Sequence, residues 1–297
     1  MDPTTRASAQ TTTLEQSAQE LEHKLVQTPY GQIEYYQMGK GSPVFLFSGY
    51  LTDVSSWDKE FVARLASHHT VYLVHYRNVG RSMVIEDDAQ TLKDYATDIY
   101  HMCTKLNIKK ATFIGHSMGG IVAQQLAKDY PGLVARMVLI NTMPPGDEGE
   151  LPPKDILQHA LDIPESLLPR FRQSLKLCFP PQDKAAMFSR LVNLRFLPPD
   201  LEQIKFVPNK KIQQNLMFTW SSDKTDPTPF LKVEVPTLIL VSDKDIVILP
   251  QNSSLIARIY KNHQIKTYQD AGHLLFFQFP YQIADDINEF IDLSQSN

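Results

Sequence analysis

Cysteine is scarce in this chain: its 297 residues include two, Cys103 and Cys178. The pair has no metal-ligand spacing, and each thiol sits among apolar neighbours, so both are expected as buried, free thiols in a reducing, cytoplasmic setting. Long apolar runs are also missing. Nothing approaches the roughly 20 residues of a membrane-crossing helix, so no membrane span is expected. The opening MDPTTRASAQTTTLEQ has no apolar core of a secretory signal, and its Asp2 and Glu15 speak against a transit peptide. It reads as a polar, flexible tail over residues 1–22. Basic excess is absent too. Lys and Arg number 29 against 33 Asp and Glu, a net charge of −4, so nucleic acid is not an expected partner. The pair Lys210-Lys211 reads as a solvated loop.

What is present is an ordinary globular balance, 42% hydrophobic and 21% charged, in a chain long enough for a large core with an inserted subdomain. LVQT (25–28) and IEYYQM (33–38) flank the turn signal PYG and predict a strand pair. VFLF (44–47), VYLV (71–74), ATFI (111–114), MVLI (137–140) and TLILV (237–241) are apolar without alternation, as strands buried on both faces are. IKTYQ (265–269) is more polar and suits a sheet edge. Between the strands run helical stripes: Trp57, Phe61, Leu65, Ala66; Leu92, Tyr95, Ile99, Met102, Leu106; Ile121, Val122, Leu126, Tyr130; and Ile283, Ile287, Phe290, Ile291. The alternation predicts an α/β fold, a mainly parallel twisted sheet with helices on both faces. From Pro144 to Leu231 the rhythm stops. SLLPRFRQSLKLCF and DKAAMFSRLVNLRF are helix-like, so 144–231 is expected as a helical insertion into a core of 23–143 and 232–297.

The sharpest chemical signal is ATFIGHSMGG (111–120), which holds G-x-S-x-G as Gly115, His116, Ser117, Met118 and Gly119. A buried strand before it and a helix after it are the context of a nucleophile elbow: a tight strand-to-helix turn strains the serine backbone and lifts its hydroxyl above the sheet edge. Serine is a weak nucleophile and needs a base. His273, in QDAGHLLFF beyond the last strand, stands on the same edge, whereas His263 precedes that strand and falls on the opposite one. His116 lies inside the elbow, too close to act as base, and is expected in the pocket wall. The acid that orients the base belongs after TLILV, where SDKDIV offers Asp243 and Asp245; spacing favours Asp245. Oxyanion donors are expected from the Met118 amide and, in the loop after VFLF, the Tyr50 amide.

The order Ser117, Asp245, His273 with its flanking text resembles the α/β-hydrolase superfamily from about Leu25 to the end. SGYLTDVSSW is similar to the family's oxyanion loop, YRNVGRS to the segment after the fourth strand, and DAGHLLFFQFP to the histidine loop. The resemblance implies that 144–231 is a helical cap that roofs the pocket and sets substrate choice. The chain departs from the family in having Ser48-Gly49 for His-Gly, which brings Ser48 and Gly49 into the expected pocket lining. It also has His75 and Asn78 where the family has other types.

A serine at position 117 points to hydrolysis of a carboxylic ester or thioester through an acyl-enzyme, with no metal and no organic cofactor. The same triad supports carbon–carbon bond hydrolysis, acyl transfer, cofactor-free peroxidation and lyase chemistry, and the fold can also serve as a binding module without turnover. The insertion is rich in Leu, Phe and Met: Leu167, Leu168, Phe171, Leu175, Phe179, Met187, Phe188, Leu191, Phe196, Met217, Phe218 and Trp220. If some of these face the site, the partner is a small molecule with an apolar acyl or aromatic group.

Overall fold

A computed structural model of the chain describes residues 21–84, 90–164, 166–193 and 210–293. Nine strands form one sheet among these residues: β1 (Glu22–Thr28), β2 (Gly31–Met38), β3 (Ser42–Phe47), β4 (His69–Val74), β5 (Met83–Val84), β6 (Ala111–His116), β7 (Val134–Ile140), β8 (Thr237–Ser242) and β9 (His263–Tyr268). Their order is β1-β2-β4-β3-β6-β7-β8-β9, with β5 on β2. The pairs made by β2 are antiparallel and those from β4 to β9 are parallel. The chain runs from β3 outward to β4, then crosses back to lay β6 on the other side of β3. Such a reversal opens a crevice at the carboxyl ends of the two strands. The loop after β3 and the turn after β6 meet there.

The absence of alternation in the central strands has a visible cause. Phe45, Phe47, Phe113, Met137, Leu139, Ile239 and Val241 join one buried cluster, while Val44, Leu46, Ile114, Val138, Ile140, Leu238 and Leu240 join another. Successive side chains point to opposite faces, and both faces are covered, so every position is apolar. One face is covered by α1 (Lys59–Ala66), whose Phe61, Val62 and Leu65 are buried, and by the C-terminal helix Pro280–Leu293. The other carries α2 (Leu92–Lys105) and α3 (Met118–Asp129). Thr91 and Asp94 form a reciprocal capping box at the start of α2, satisfying two of its free amides. β9 lies at the sheet edge with Ile265 44% exposed, in keeping with its polar text.

Among the described residues between β7 and β8 stand four α-helices, α4 (Lys154–Leu161), α5 (Leu167–Cys178), α6 (Lys184–Asn193) and α7 (Lys210–Trp220). The sequence had pointed to α5 and α6. Lys210 and Lys211, expected in a loop, instead open α7. A further helix, α8 (Asn252–Ile259), follows β8, and the C-terminal helix is α9. Cys103 is fully buried, and burial pushes its thiol up to about 12. Cys178 is only half-buried, at the end of α5. Of the expected tail, residues 1–20 lie outside the described residues, as does Phe196, while Glu22 already pairs with Gln37. No helix among the described residues is long and apolar enough to cross a membrane.

Candidate active site

Ser117 sits between β6 and α3 with φ 55° and ψ −122°, a conformation costly for a residue with a side chain. The bend is tight enough that a Cβ on Gly115 would stand 2.3 Å from the Gly119 carbonyl oxygen, and one on Gly119 would stand 2.0 Å from that of Phe47. No larger residue fits either position, so the two glycines let the elbow press against the end of β3. The Ser117 carbonyl is held by the Thr142 hydroxyl at 2.7 Å and the Gly120 amide at 2.9 Å.

His273 follows β9 and is buried. Its Nδ1 lies 2.7 Å from Oδ2 of Asp245, which is also buried. The other oxygen, Oδ1, accepts the amides of Val247 at 2.8 Å and Ile248 at 3.0 Å. These donors fix the orientation of the carboxylate toward the His273 ring. Asp243 takes a different post: its Oδ1 accepts the Ala271 amide at 3.1 Å and so pins the loop that carries His273. His263 bonds the Tyr260 carbonyl at the far end of β9. Ser117 and His273 line one cavity. Among the described residues no hydrogen bond joins them; such bonds often tighten only when substrate binds.

His116 also lines the cavity. Its Nε2 lies 2.9 Å from the His273 carbonyl, to which it donates. Burial, and after it the charge of His273, hold its pKa well below the usual histidine range, so it stays neutral. The Tyr50 and Met118 amides have no acceptor among the described residues, and both residues line the cavity with Gly49. Ser48 does not belong to the lining. Its hydroxyl turns back to the Thr52 carbonyl at 3.4 Å, and its own carbonyl accepts the Tyr76 hydroxyl at 3.0 Å. The expectation for Ser48 is therefore corrected: its side chain shapes the loop from behind. The cavity, about 210 Å³, is walled mainly by apolar side chains, among them Ile121, Met143, Leu157, Leu177, Met217 and Phe277. Among the described residues no three His, Cys, Asp or Glu side chains stand so as to hold a metal ion.

The family model of the alpha/beta hydrolase fold matches residues 42–280. The chain belongs to that family. A non-heme haloperoxidase of Rhodococcus erythropolis is 24% identical over 282 residues, which cover 88% of this chain and 96% of the relative. A thermophilic esterase of Thermogutta terrifontis superposes with a TM-score of 0.71 at 22% identity, over 91% of this chain and 98% of the other. A meta-cleavage product hydrolase of Pseudomonas fluorescens IP01 does so with 0.71 at 16%, over 92% and 98%. At these identities the superpositions speak for the fold.

Where this α/β-hydrolase departs from its family's usual text, the structure supplies reasons. Asn78 has φ 60°, a left-handed conformation that asparagine tolerates better than most residues. His75 is buried and donates from Nδ1 to Oε2 of Glu34 at 2.8 Å, while its Nε2 accepts the Val54 amide of the loop after β3 at 3.3 Å. Glu34 also accepts from the Arg81 amide at 2.6 Å and the Tyr36 hydroxyl at 3.2 Å. Burial alone would raise its pKa, but the hydrogen bonds from His75 and Arg81 outweigh it and hold the carboxyl at about 2. Nothing local marks Glu34: it reads as one polar position in a strand. Asn141, just after β7, was equally invisible. At φ 45° its Nδ2 donates to the His273 carbonyl at 3.0 Å and to the Ser242 hydroxyl at 2.8 Å, and its Oδ1 accepts the Ser242 amide at 3.0 Å. With His116 it gives the His273 carbonyl two buried donors.

Proposed function

We propose that this protein is a serine hydrolase that cleaves a carboxylic ester or thioester bearing an apolar acyl or aromatic group. The observation that carries the reading is the pairing of a strained Ser117 with a buried His273–Asp245 hydrogen bond of 2.7 Å at one apolar cavity. In this reading the Ser117 hydroxyl attacks the carbonyl carbon and His273 Nε2 takes its proton. Asp245 holds Nδ1–H and stabilises the imidazolium. The amides of Met118 and Tyr50 receive the developing oxyanion. His273 returns the proton to the leaving group, and water then repeats the sequence on the acyl-enzyme. His116, kept neutral, does not compete for that proton. The helices of 144–231 act as a cap and supply much of the apolar wall. The setting is the cytoplasm, where Cys103 and Cys178 stay reduced.

Carbon–carbon bond hydrolysis is the second reading, because a meta-cleavage product hydrolase shares the fold over nearly its whole length. Labelling by a fluorophosphonate probe, in wild type and Ser117→Ala, tests the nucleophile. Wild type is expected to label and the variant not. A series of p-nitrophenyl esters of rising chain length, assayed beside a vinylogous 1,5-diketone substrate, separates the two chemistries. Turnover confined to the diketone would transfer the assignment to the second reading, and an unlabelled wild type would leave a binding module.

A further inference from the structure

We propose that Gln213, carried by the inserted helix α7, is a positioning residue for the oxyanion hole, so that the hole is complete only with the insertion docked on the core. The inference rests on the reading of the Tyr50 amide as an oxyanion donor. Gln213 is fully buried, and its Oε1 accepts the Leu51 amide at 2.8 Å across 162 positions of sequence. Leu51 is the residue whose amide follows that of Tyr50, and its φ of 48° is a left-handed conformation that is strained for a leucine. Such a turn needs an outside partner to persist.

The neighbouring side chain is held from the same quarter. The Tyr50 hydroxyl donates to the Leu161 carbonyl at the end of α4 at 3.2 Å and accepts from Nε2 of Gln214 at 2.9 Å. The core fixes the rest of the loop, through Tyr76 to the Ser48 carbonyl and through His75 to the Val54 amide. Positions 48 and 54 thus hang on the sheet, and positions 50 and 51 hang on the insertion. The orientation of the Tyr50 amide is set between these supports.

A purely packing role would not select glutamine at position 213. Its Nε2 lies toward the Tyr95 hydroxyl, yet neither atom makes a well-formed hydrogen bond among the described residues. A buried donor with no well-formed bond is a cost that leucine or methionine at the same place would avoid. The role that glutamine fills there and those residues cannot is acceptance of the Leu51 amide.

The test is steady-state kinetics of the full chain on the best p-nitrophenyl ester, with inhibition by an alkylboronic acid that mimics the tetrahedral intermediate, for wild type, Gln213→Leu and Ser117→Ala. Removing an oxyanion donor costs about 10²–10³ in turnover, and a misdirected donor a part of that. Gln213→Leu is expected to lower kcat about 10–100-fold with KM within about twofold, and to weaken the boronate by the same factor as kcat/KM. If kcat and boronate affinity stay within about threefold of wild type while Ser117→Ala is inactive, the inference falls and the serine-hydrolase reading stands. A loss confined to KM would also overturn it, since that marks a binding wall. A wild type that neither turns over nor labels takes both down together. Should Gln213→Leu fail to fold, Gln214→Leu probes the same support through Tyr50. A kcat loss of about 3–10-fold at unchanged KM is expected, and an unchanged kcat refutes the proposal.

Discussion

Replacing Asn141 by alanine and, separately, by glycine asks how much of the site's stability passes through one buried side chain. Both variants remove the same bonds: Nδ2 to the His273 carbonyl and the Ser242 hydroxyl, and Oδ1 from the Ser242 amide. The His273 carbonyl keeps His116 as a donor, so its loss is the net worth of one bond, about 1 kcal/mol. The bond to the Ser242 hydroxyl is worth about as much. The Ser242 amide is left in a fully buried place with no acceptor, at roughly 1–3 kcal/mol. Either variant is therefore expected to lose about 3–5 kcal/mol in urea unfolding. The pair differ in one respect. Position 141 has φ 45°, which glycine adopts freely and alanine does not, so Asn141→Gly is expected to be about 0.5–1 kcal/mol the more stable. Both should lower kcat about tenfold, because the loop bearing His273 keeps only one of its two donors. Variants within about 1 kcal/mol of wild type would refute the hydrogen-bond argument, and an alanine variant at least as stable as the glycine one would refute the backbone argument.

Glu34 gives a pH signature. Its folded pKa of about 2 lies below the ordinary 4.5, so its ionised form stabilises the fold fully above about pH 5, and that contribution is lost as pH falls toward 2. The gap in unfolding free energy between wild type and Glu34→Gln, about 2–3 kcal/mol near pH 6, is expected to narrow to roughly half by pH 3 and to close only as pH approaches 2, and a gap as wide at pH 2 as at pH 6 would contradict the reading. Arg77 and Asp98 form a buried bidentate pair, Nε to Oδ2 at 2.8 Å and Nη2 to Oδ1 at 2.9 Å. Arg77→Met is expected to cost about 3–5 kcal/mol and the double variant Arg77→Met/Asp98→Leu to recover most of it; a double variant as unstable as the two losses summed would show that the charges do not depend on each other.

The local text of the chain was enough to locate the central strands, the helices that carry clean apolar stripes, and the turn that exposes Ser117, because periodicity and glycine spacing act over a few residues. The same text named Asp243 and Asp245 together. Tertiary structure divided their roles, sending one carboxylate to the His273 ring and the other to the backbone of its loop. The short strand β5 and the helices α4, α7 and α8 escaped notice because each is short, so its apolar residues span too few turns to stand out as a periodic stripe. Ser48, expected in the cavity wall, faces away because the Thr52 and Tyr76 groups that hold it lie behind the loop. The supports of the site, Glu34 with His75, Asn141 under His273, and Gln213 under Leu51, join residues from 41 to 162 positions apart. A hydrogen bond of that span leaves no mark on the residues between its ends: the sequence determines which side chains exist to make it, and only the packing of the sheet and the inserted helices decides which of them meet.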